Sequence, residues 1–526
     1  MKKTTQSRAA LWQRIATEPW DMLVIGGGIT GAGVAREAAR RGLKTLLVEQ
    51  RDYAWGTSSR SSKMVHGGLR YIAQGDIRLT RESLSERERL LVEAPGLVTR
   101  IGYWMAHFRH VFPGRFVFGV LLSFYDFLAG VRDHRYSSRA EFLKHVPGYR
   151  ETGLTGASYY TDALVDDSRL VLRVLDEAEA DGAVLLNYVK VTSLLQENAR
   201  VTGVQLTDAM TGSSNTVRAG VVVNATGAWA DRLREGLAGE KKVRPQRGSH
   251  VVLAPGRLPV SEAVIFMHAD DKRPLFIYPW EGRTVIGTTD LDHRQDLDIE
   301  AAITAQEVDY MLRGVNSQFP KACITHNDII ATFSGVRPIV ASGSGLNPSA
   351  ERRDHSVWDD QGLITVTGGK LTTFRLIALD VLKAAKKYFS TLDASNNKAP
   401  VFRAIDTVDS HWPPSVLARL KGRFGLHTAQ FLAQALPEER AALPLVDTSL
   451  AELRWAARYE QVVHLDDLLL RRTRLGLLLP EGGQPLLPQL RSICQQELQW
   501  SDARWQEECE RYREIWQRHY SVPALA

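Results

Sequence analysis

Cysteine is scarce in this sequence, which has three in 526 residues: Cys323, Cys494 and Cys509. They are far apart and odd in number, which excludes a disulfide framework, a paired zinc-binding spacing and a CxxC redox pair. We therefore expect no metal site and a reducing compartment, of which the cytoplasm is the simplest.

Long apolar runs are missing as well. The basic N-terminus, residues 1–20, lacks the apolar core of a signal peptide, and no later stretch reaches the roughly 18 apolar residues of a membrane-spanning helix. No DNA- or RNA-binding motif is present, and the residues behind the net charge of +6 are scattered. We expect no nucleic-acid partner, because an anionic substrate or membrane surface fits this charge better.

The remaining composition is that of a large globular protein. Hydrophobic residues make up 44% and charged residues 24% of the chain, which excludes the collagen-like, disordered and disulfide-rich classes. At roughly 100 to 200 residues per domain, the length predicts three or four structural units.

A nucleotide-binding motif organises the N-terminal part of the chain. Residues 21–49, DMLVIGGGITGAGVAREAARRGLKTLLVE, have the pattern of a strand, a glycine turn, a helix and a second strand. Gly26 permits the tight turn, Gly28 lets a pyrophosphate approach, and Gly31 lets the helix lie close to the strand. Glu49 ends the second strand, where an acid accepts hydrogen bonds from a ribose. The unit predicts a bound adenine dinucleotide; a structural glycine turn is the alternative.

Two later strands end in small residues that let the chain pass beside this cofactor. The first lies in VVVNATG and the second in LITVTGGKLTTFR, which repeats the order of strand, glycines and helix. The small residues are Ala225, Gly227, Gly368 and Gly369. Lys370 and the positive end of the second helix could stabilise negative charge on the cofactor ring. A single nucleotide fingerprint, this second junction and the lack of a nicotinamide site indicate FAD.

Residues 51–76 form a polar segment that is too long for a plain connector and follows the nucleotide motif. It contains His66, Arg70 and Tyr71, which we expect to face the reaction. Taken singly, such a histidine is more often a structural hydrogen-bonding group, such an arginine a solvated charge and such a tyrosine a core residue. For the later arginine pair, 352–353, a surface charge cluster is the ordinary interpretation.

The order of the elements predicts an α/β fold with three parts. These are a Rossmann-like FAD-binding domain, an inserted, mostly antiparallel β domain for the substrate, and an all-helical C-terminal domain. The predicted ranges are 1–20 for a lead-in, 21–95, 155–235 and 325–392 for the FAD-binding domain, 96–154 and 236–324 for the substrate domain, and 396–526 for the helical domain. In the helical domain, Asp466, Asp467, Arg471 and Arg472 could look like a site, but such pairs are usually internal braces.

Residues 101–132 combine aromatic, aliphatic and basic side chains and are interrupted at Pro113-Gly114. The segment is too short to span a bilayer, but it could lie in the headgroup region of one. The alternative is that residues 116–128 form a core helix.

Several separated motifs occur together: IGGGITGAG, TSSRSSKMVHGGLRY, VDDSRLVL, VVNATGAWA, DKRPLFIYPW, IGTTD, FSGVRPI, GGKLTTFR and DDLLLRRTRLG. They resemble the FAD-dependent (aerobic, quinone-linked) sn-glycerol-3-phosphate dehydrogenases, from residue 21 to about 390 and more thinly beyond. Members of that family have the glycine/D-amino-acid oxidase type of fold. They oxidise sn-glycerol 3-phosphate to dihydroxyacetone phosphate and pass electrons to membrane ubiquinone. The resemblance implies a monotopic, peripheral protein on the inner face of the cytoplasmic membrane and is compatible with a homodimer.

The resemblance also implies roles for single residues. FAD contacts are expected at Gly26, Gly28, Gly31, Glu49, Thr57, Ser58, Ser62, Gly368, Gly369, Lys370, Leu371 and Thr372. The expected catalytic residues are His66, Arg70, Tyr71 and Lys370. Arg337 and Arg353 are expected to hold the phosphate through bidentate forks. His66 would take the hydroxyl proton and Arg70 would polarise the developing oxyanion.

Three positions depart from the family pattern. Ala228 stands where proline is usual, residues 54–56 replace a smaller run, and Phe374 replaces a tyrosine. None of these positions belongs to the groups expected to bind the phosphate or transfer the proton. They leave the identity of the substrate open but do not change the expected flavin chemistry. The alternatives are a glycerol-3-phosphate oxidase that uses oxygen, another FAD-dependent amine or hydroxy-acid oxidoreductase, and a non-enzymatic FAD-binding scaffold.

Overall fold

The structure is a computed structural model that describes residues 7–73, 75–237, 241–340, 354–395, 399–406, 408 and 411–524, the side chains of Arg70 and Ala73 excepted. The strands are β1 (Trp20–Ile25), β2 (Thr45–Val48), β3 (Met64–Val65), β4 (Val98–Phe108), β5 (Arg135–Ser138), β6 (Leu154–Val165), β7 (Val184–Leu186), β8 (Val189–Glu197), β9 (Arg200–Asp208), β10 (Ser214–Asn224), β11 (Val243–Leu253), β12 (Ala263–Met267), β13 (Pro274–Trp280), β14 (Arg283–Gly287), β15 (Leu291–Asp292), β16 (Ile329–Val340), β17 (His355–Asp360) and β18 (Leu363–Gly368). The α-helices are α1 (Arg8–Thr17), α2 (Ile29–Ala39), α3 (Leu69–Ala73), α4 (Ile77–Glu93), α5 (Arg115–Ala129), α6 (Arg139–His145), α7 (Asp167–Ala180), α8 (Ala230–Arg234), α9 (Ala305–Gln318), α10 (Phe374–Ala385), α11 (Pro414–Phe424), α12 (Thr428–Gln434), α13 (Leu450–Tyr459), α14 (Leu475–Leu478), α15 (Leu487–Leu498) and α16 (Asp502–His519).

The first sheet has the strand order β17-β18-β10-β1-β2-β7, and β8 and β9 extend β10 as an antiparallel hairpin. Strands β18, β10, β1, β2 and β7 run parallel. Their carboxyl ends therefore meet at one edge, which is where open α/β sheets bind ligands.

β1 is apolar on both sides because both faces of this sheet are covered. Met22 and Val24 point into a core that includes residues of α2, α7 and α10. Leu23 and Ile25 point into a second core with α1 and the β8–β9 hairpin. The predicted packing of the lead-in on the body is therefore confirmed for residues 8–17.

The second sheet has the order β15-β11-β14-β13-β12-β4-β6-β3, with β16 paired to β11 and β5 paired to β6. Its pairs are antiparallel except β12 with β4. Three of its strands, β3, β6 and β16, fall in ranges predicted for the FAD-binding domain. The chain passes from one sheet to the other next to each of these strands, and this crossing was not visible in their hydrophobic patterns.

Residues 411–524 contain helices and connecting segments but no strand, apart from one isolated bridge between Ala442 and Ser449. Leucines of this region, such as Leu469, share a core with Trp280 and Tyr278 of the second sheet. The end of the chain also reaches that sheet, because the Thr332 N–H donates to the Tyr520 carbonyl at 2.7 Å. The predicted fold class is confirmed: an α/β sheet domain, a mostly antiparallel sheet and a helical C-terminal region.

Candidate active site

The first glycine turn, between β1 and α2, has no room for side chains. A Cβ on Gly26 would lie 2.6 Å from the Ala225 carbonyl oxygen, and one on Gly31 would lie 1.9 Å from the Gly26 carbonyl oxygen. Gly26 also has a φ of +114°, which L side chains rarely adopt. Gly28 is the N-cap of α2 and is partly exposed. The turn therefore presents a helix N-terminus to a ligand and fits a pyrophosphate.

Glu49 stands one residue beyond β2, beside this turn. Its carboxylate accepts hydrogen bonds from the Gly27 N–H at 2.7 Å and the Arg51 N–H at 2.9 Å. Burial raises the pKa of Glu49, although both N–H groups oppose the shift. Each carboxylate oxygen can accept more than one hydrogen bond, so the position fits the ribose contact that the sequence predicts.

The segment after Glu49 returns to the same turn. Ser58 Oγ accepts a hydrogen bond from the Ile29 N–H at 3.0 Å, at the start of α2. The Thr57 hydroxyl donates to the Val336 carbonyl of β16. Thr57 and Ser58 thus lie beside the first glycine turn and connect it to the second sheet.

The second glycine turn follows β18. Gly368 and Gly369 have φ values of +81° and +77°, which favour glycine. A Cβ on Gly368 would lie 3.1 Å from a methyl carbon of Val340, at the end of β16. Thr372 Oγ1 accepts a hydrogen bond from the His66 N–H at 3.3 Å. This turn therefore lies between the HGGLRY segment and the strand that carries Arg337.

Tyr71, Lys370 and His66 come together at the second turn. Lys370 Nζ lies 3.6 Å from the centroid of the buried Tyr71 ring, a cation–π contact. It also donates to Ser83 Oγ of α4 at 2.9 Å. Since the backbone of His66 is bonded to Thr372, three of the four predicted catalytic residues converge on the GGKLTT segment.

Arg337 lies on β16 above a glycine of β11. Its guanidinium donates to Asp290 Oδ1 at 3.1 Å and to Thr288 Oγ1 at 3.1 Å. A Cβ on Gly248 would lie 2.2 Å from its Nη2, so the glycine makes space for it. The side chain is 19% exposed. The IGTTD motif thus orients the guanidinium, and a guanidinium fork suits a phosphate.

Comparisons with known proteins identify the family of this chain. The family model "FAD dependent oxidoreductase" matches residues 21–378, and the model "C-terminal domain of alpha-glycerophosphate oxidase" matches residues 382–505. A glycerol-3-phosphate dehydrogenase of Mycobacterium leprae is 36% identical over 520 residues, covering 94% of this chain and 88% of the relative. An aerobic glycerol-3-phosphate dehydrogenase of Staphylococcus aureus is 33% identical over 507 residues, covering 90% of each chain. The chain belongs to the FAD-dependent glycerol-3-phosphate dehydrogenase family.

A solved member of this family supports the same assignment. The glycerol-3-phosphate dehydrogenase from Bacillus halodurans, complexed with FAD, is similar with a TM-score of 0.78 and 26% identity, over 99% of this chain and 98% of that chain. The predictions of the family, of its fold type and of FAD as the cofactor are confirmed.

Sequence reasoning missed one candidate residue of the present protein. His250 of β11 has its Nε2 2.9 Å from Ser62 Oγ, a predicted FAD contact. Burial and the nearby Arg337 charge keep the pKa of His250 well below its usual value, so the imidazole is neutral. A signal was present, because alternation along RPQRGSHVVL places His250 on the same face of the strand as Gly248, the glycine beneath Arg337.

The remaining predicted site residues are Arg70, Arg353, Gly227 and Leu371. Arg70 belongs to α3, but its side chain lies outside the described residues, as does all of Arg353; their roles stay predictions. The Gly227 carbonyl accepts a hydrogen bond from Thr367 Oγ1 at 3.0 Å, and Leu371 packs against the core of the first sheet.

The DDLLLRRTRLG motif is an internal brace, which confirms the structural interpretation of its charges. A π-helical turn, Asp467–Arg472, presents Arg471 and Arg472 to Asp52. These groups are buried, and Arg472 Nη2 lies 2.8 Å from Asp52 Oδ1. Because Asp52 lies three residues beyond Glu49, the helical domain fastens the start of the segment that passes the cofactor.

A second buried group fastens the other end of that segment. Lys63 Nζ donates to Asp167 Oδ2 at 2.9 Å and to the Ser59 carbonyl at 2.7 Å. Arg474 Nη2 donates to the same Ser59 carbonyl at 2.8 Å. Burial and the Arg474 charge lower the pKa of Lys63 to about 7. Residues 52–63 are therefore held from both ends by groups that the sequence motif alone could not pair.

α5 is apolar on both its exposed and its buried sides. Phe116, Val120 and Phe127 are 74%, 73% and 77% exposed, whereas Phe118 and Tyr125 are buried. The preceding part of the predicted membrane-facing segment, residues 101–108, is the mostly buried strand β4, so that prediction was too long at its start. In the part of the chain that the structure describes, no helix is long and apolar enough to cross a membrane.

Proposed function

We propose that this protein oxidises sn-glycerol 3-phosphate at C2 to dihydroxyacetone phosphate and passes the electrons to ubiquinone in a membrane. The observation that carries the proposal is the convergence of His66, Tyr71 and Lys370 on the second glycine turn. That turn lies beside the end of the strand that carries Arg337. The names of the relatives support the substrate.

The cofactor would lie along the edge where both glycine turns meet. When bound, FAD supplies the acceptor for the hydride that leaves C2. Gly26, Gly28 and Gly31 would hold its pyrophosphate and Glu49 its ribose. Lys370 and the N-terminus of α10 would make the potential at the ring end more positive.

His66 is the proposed base. A secondary alcohol that loses a hydride must also lose its hydroxyl proton, and an imidazole titrates near neutral pH. Arg70 is proposed to polarise the same oxygen. His250 is the alternative base, because its imidazole is neutral and its buried Nδ1 has no hydrogen-bond partner among the described atoms.

Arg337 and Arg353 are proposed to bind the phosphate dianion. Arg337 is already oriented by Asp290 and Thr288, so little side-chain entropy is lost when the phosphate binds. Asp290 also offsets part of its charge, which is a reason for a second arginine in the site.

Anaerobic addition of sn-glycerol 3-phosphate to the purified holoenzyme tests the reaction. We expect the flavin absorbance to bleach, and glycerol, which lacks the phosphate, to leave it unchanged at the same concentration. A flavin that never bleaches would support the scaffold alternative. Bleaching by amino acids or hydroxy acids, with no response to glycerol 3-phosphate, would support the other oxidoreductases.

The electron acceptor is tested by turnover with and without a soluble quinone analogue. We expect quinone to raise the turnover well above the rate of peroxide release in air. Equal rates in both conditions would overturn the dehydrogenase proposal in favour of an oxidase.

We further propose that the exposed side of α5 rests on the inner face of the cytoplasmic membrane. Its exposed phenylalanines would enter the headgroup region, and the nearby Arg115 would stay at the anionic surface. Phe116→Asp with Phe127→Asp should abolish binding to anionic vesicles and leave the thermal unfolding midpoint unchanged. Leu445→Asp is the control, since Leu445 is 62% exposed in the helical domain. Retained vesicle binding by the double variant would contradict this surface.

A further inference from the structure

The backbone of the HGG turn, residues 66–68, is held from two sides. The His66 N–H donates to Thr372 of the second glycine turn at 3.3 Å. The next N–H, of Gly67, is shared between the Tyr125 hydroxyl and Asp162 Oδ1, at 3.1 Å each. One N–H is thus fixed by the cofactor-side turn and the other by residues of α5 and β6.

The group beneath Gly67 is a buried, hydrogen-bonded set of three side chains. The Tyr125 hydroxyl donates to Asp162, with both carboxylate oxygens 2.9 Å away. Arg87 of α4 donates to Asp162 Oδ1 at 2.6 Å and balances its charge. All three side chains are buried. Burial raises the pKa of Tyr125 well above its usual value, so this hydroxyl is a neutral donor.

The turn cannot shift without moving catalytic candidates. A Cβ on Gly67 would lie 2.4 Å from the Tyr125 hydroxyl oxygen and 2.3 Å from Leu84 Cδ2, and one on Gly68 would lie 2.1 Å from Tyr71 Cδ2. The turn is therefore packed between the Asp162 group and the Tyr71 ring, on which Lys370 lies. A movement of Gly67 would displace His66 on one side and Tyr71 on the other.

We propose that Asp162 and Tyr125 are positioning residues of the oxidation: through the Gly67 N–H they fix the HGG turn, and with it His66 and Tyr71, relative to the second glycine turn. Both would act through the Gly67 N–H and not by direct contact with the reacting atoms. The inference rests on the proposed oxidation of glycerol 3-phosphate. Misplacement of reacting groups by about 1 Å can cost roughly 100-fold in rate, so loss of this support should lower the rate of the chemical step.

The test compares Tyr125→Phe and Asp162→Asn with wild type and with Tyr149→Phe. Tyr149 is the matched control, because its buried hydroxyl also makes a hydrogen bond, 2.6 Å to Gln318, away from the HGG turn. The measurements are bound FAD, the thermal unfolding midpoint, KM for glycerol 3-phosphate and the anaerobic rate of flavin reduction at saturating substrate. We expect both test variants to reduce flavin about 10- to 100-fold more slowly, with FAD content and KM within about twofold of the control.

Two results would overturn the inference: reduction rates equal to that of Tyr149→Phe, or a fall in rate matched by an equal loss of FAD. If Asp162→Asn does not fold, Tyr125→Phe decides, since it removes one oxygen atom and keeps the ring. A wild-type flavin that glycerol 3-phosphate fails to reduce would overturn the proposed function and this inference with it. If glycerol 3-phosphate reduces the wild-type flavin and both variants reduce it at the wild-type rate, only this inference is overturned.

Discussion

Gly31 sets the distance between α2 and β1 at the pyrophosphate turn. Gly31→Ala should abolish FAD binding, because the new Cβ would lie 1.9 Å from a backbone oxygen and push α2 away from the sheet. Gly119→Ala is the matched control: it is also a helical glycine, but a Cβ there meets nothing within 4 Å. FAD retained on gel filtration is the measurement, and full retention by Gly31→Ala would contradict the site.

The proposed phosphate-binding site depends mainly on Arg337. Arg337→Ala should raise KM for glycerol 3-phosphate by about 10- to 100-fold, because a charge-assisted hydrogen bond contributes roughly 1.5 to 3 kcal/mol. Arg337→Lys should recover only part of this, since an ammonium cannot form the fork. The exposed Arg294→Ala is the control for lost positive charge. An unchanged KM in Arg337→Ala would remove Arg337 from the phosphate site.

His355, which pairs with Gly368 of the second glycine turn, makes the free energy of unfolding depend on pH. Burial alone would lower the pKa of His355, but hydrogen bonds to Asp354 and Asp380 outweigh it and raise the pKa to about 9. The folded-state pKa is above the unfolded value near 6.5. The stabilisation is therefore complete below about pH 6.5 and is lost as the pH rises through about 9.

The free energy of unfolding of wild type and His355→Gln measures this effect. The two should differ by about 1 to 3 kcal/mol at pH 6 and converge near pH 10, the size being reduced by solvent because Asp354 is exposed. A constant difference across this range would show that the charge of His355 does not contribute.

At the level of residues, the sequence was informative where one residue type is needed for a local reason. The glycines of both turns and Glu49 follow from the geometry of a strand-turn-helix unit. Alternation along β11 places His250 beside Gly248, but its partner Ser62 is distant in sequence, as are Tyr125 and Arg87, the partners of Asp162. Which buried polar side chains pair is decided by tertiary packing.

At the level of elements, the π-helical turn Asp467–Arg472 is the brace of the cofactor segment. Arg472→Met should lower the free energy of unfolding by about 3 to 5 kcal/mol, because it leaves Asp52 buried with one partner fewer. The control, Arg218→Met, removes an exposed ion pair with Glu197 and should cost less than about 1 kcal/mol. Urea unfolding measures the free energy of unfolding of both variants. Equal decreases would show that Arg472 does not brace the cofactor segment.

Element types were predictable and their partners less so. The strand, helix and second strand predicted for residues 21–49 are β1, α2 and β2, and the strand predicted in VVVNATG is β10. β3, β6 and β16 pair in the second sheet although their residues fall in ranges predicted for the FAD-binding domain, because strands of both sheets show similar apolar patterns and only strand pairing tells them apart. α5 illustrates the same limit, since a helix apolar on both sides fits either a core or a membrane surface.

At the level of the whole molecule, the second sheet and the C-terminal helices share one core. A buried ion pair, Arg472 with Asp52, and a buried hydrogen bond from Arg474 to the Ser59 carbonyl join those helices to the cofactor segment. We therefore expect a single cooperative unfolding transition. Far-UV circular dichroism and flavin fluorescence should report the same midpoint during urea unfolding. Flavin release well before the loss of helical signal would show that the parts unfold separately. Dimer formation stays a prediction.

The parallel pairing of β1 has a consequence for biosynthesis. β1 ends at Ile25, whereas its neighbour β10 begins at Ser214 and the next strand, β18, begins at Leu363. At roughly 5 to 20 residues per second, about 20 to 70 s separate the synthesis of the first glycine turn from that of the second. Until β10 has been made, one apolar edge of β1 has no partner, and until the second turn has been made FAD cannot be held at both turns. Nascent chains of this protein should therefore depend on chaperones and acquire FAD only near the end of translation.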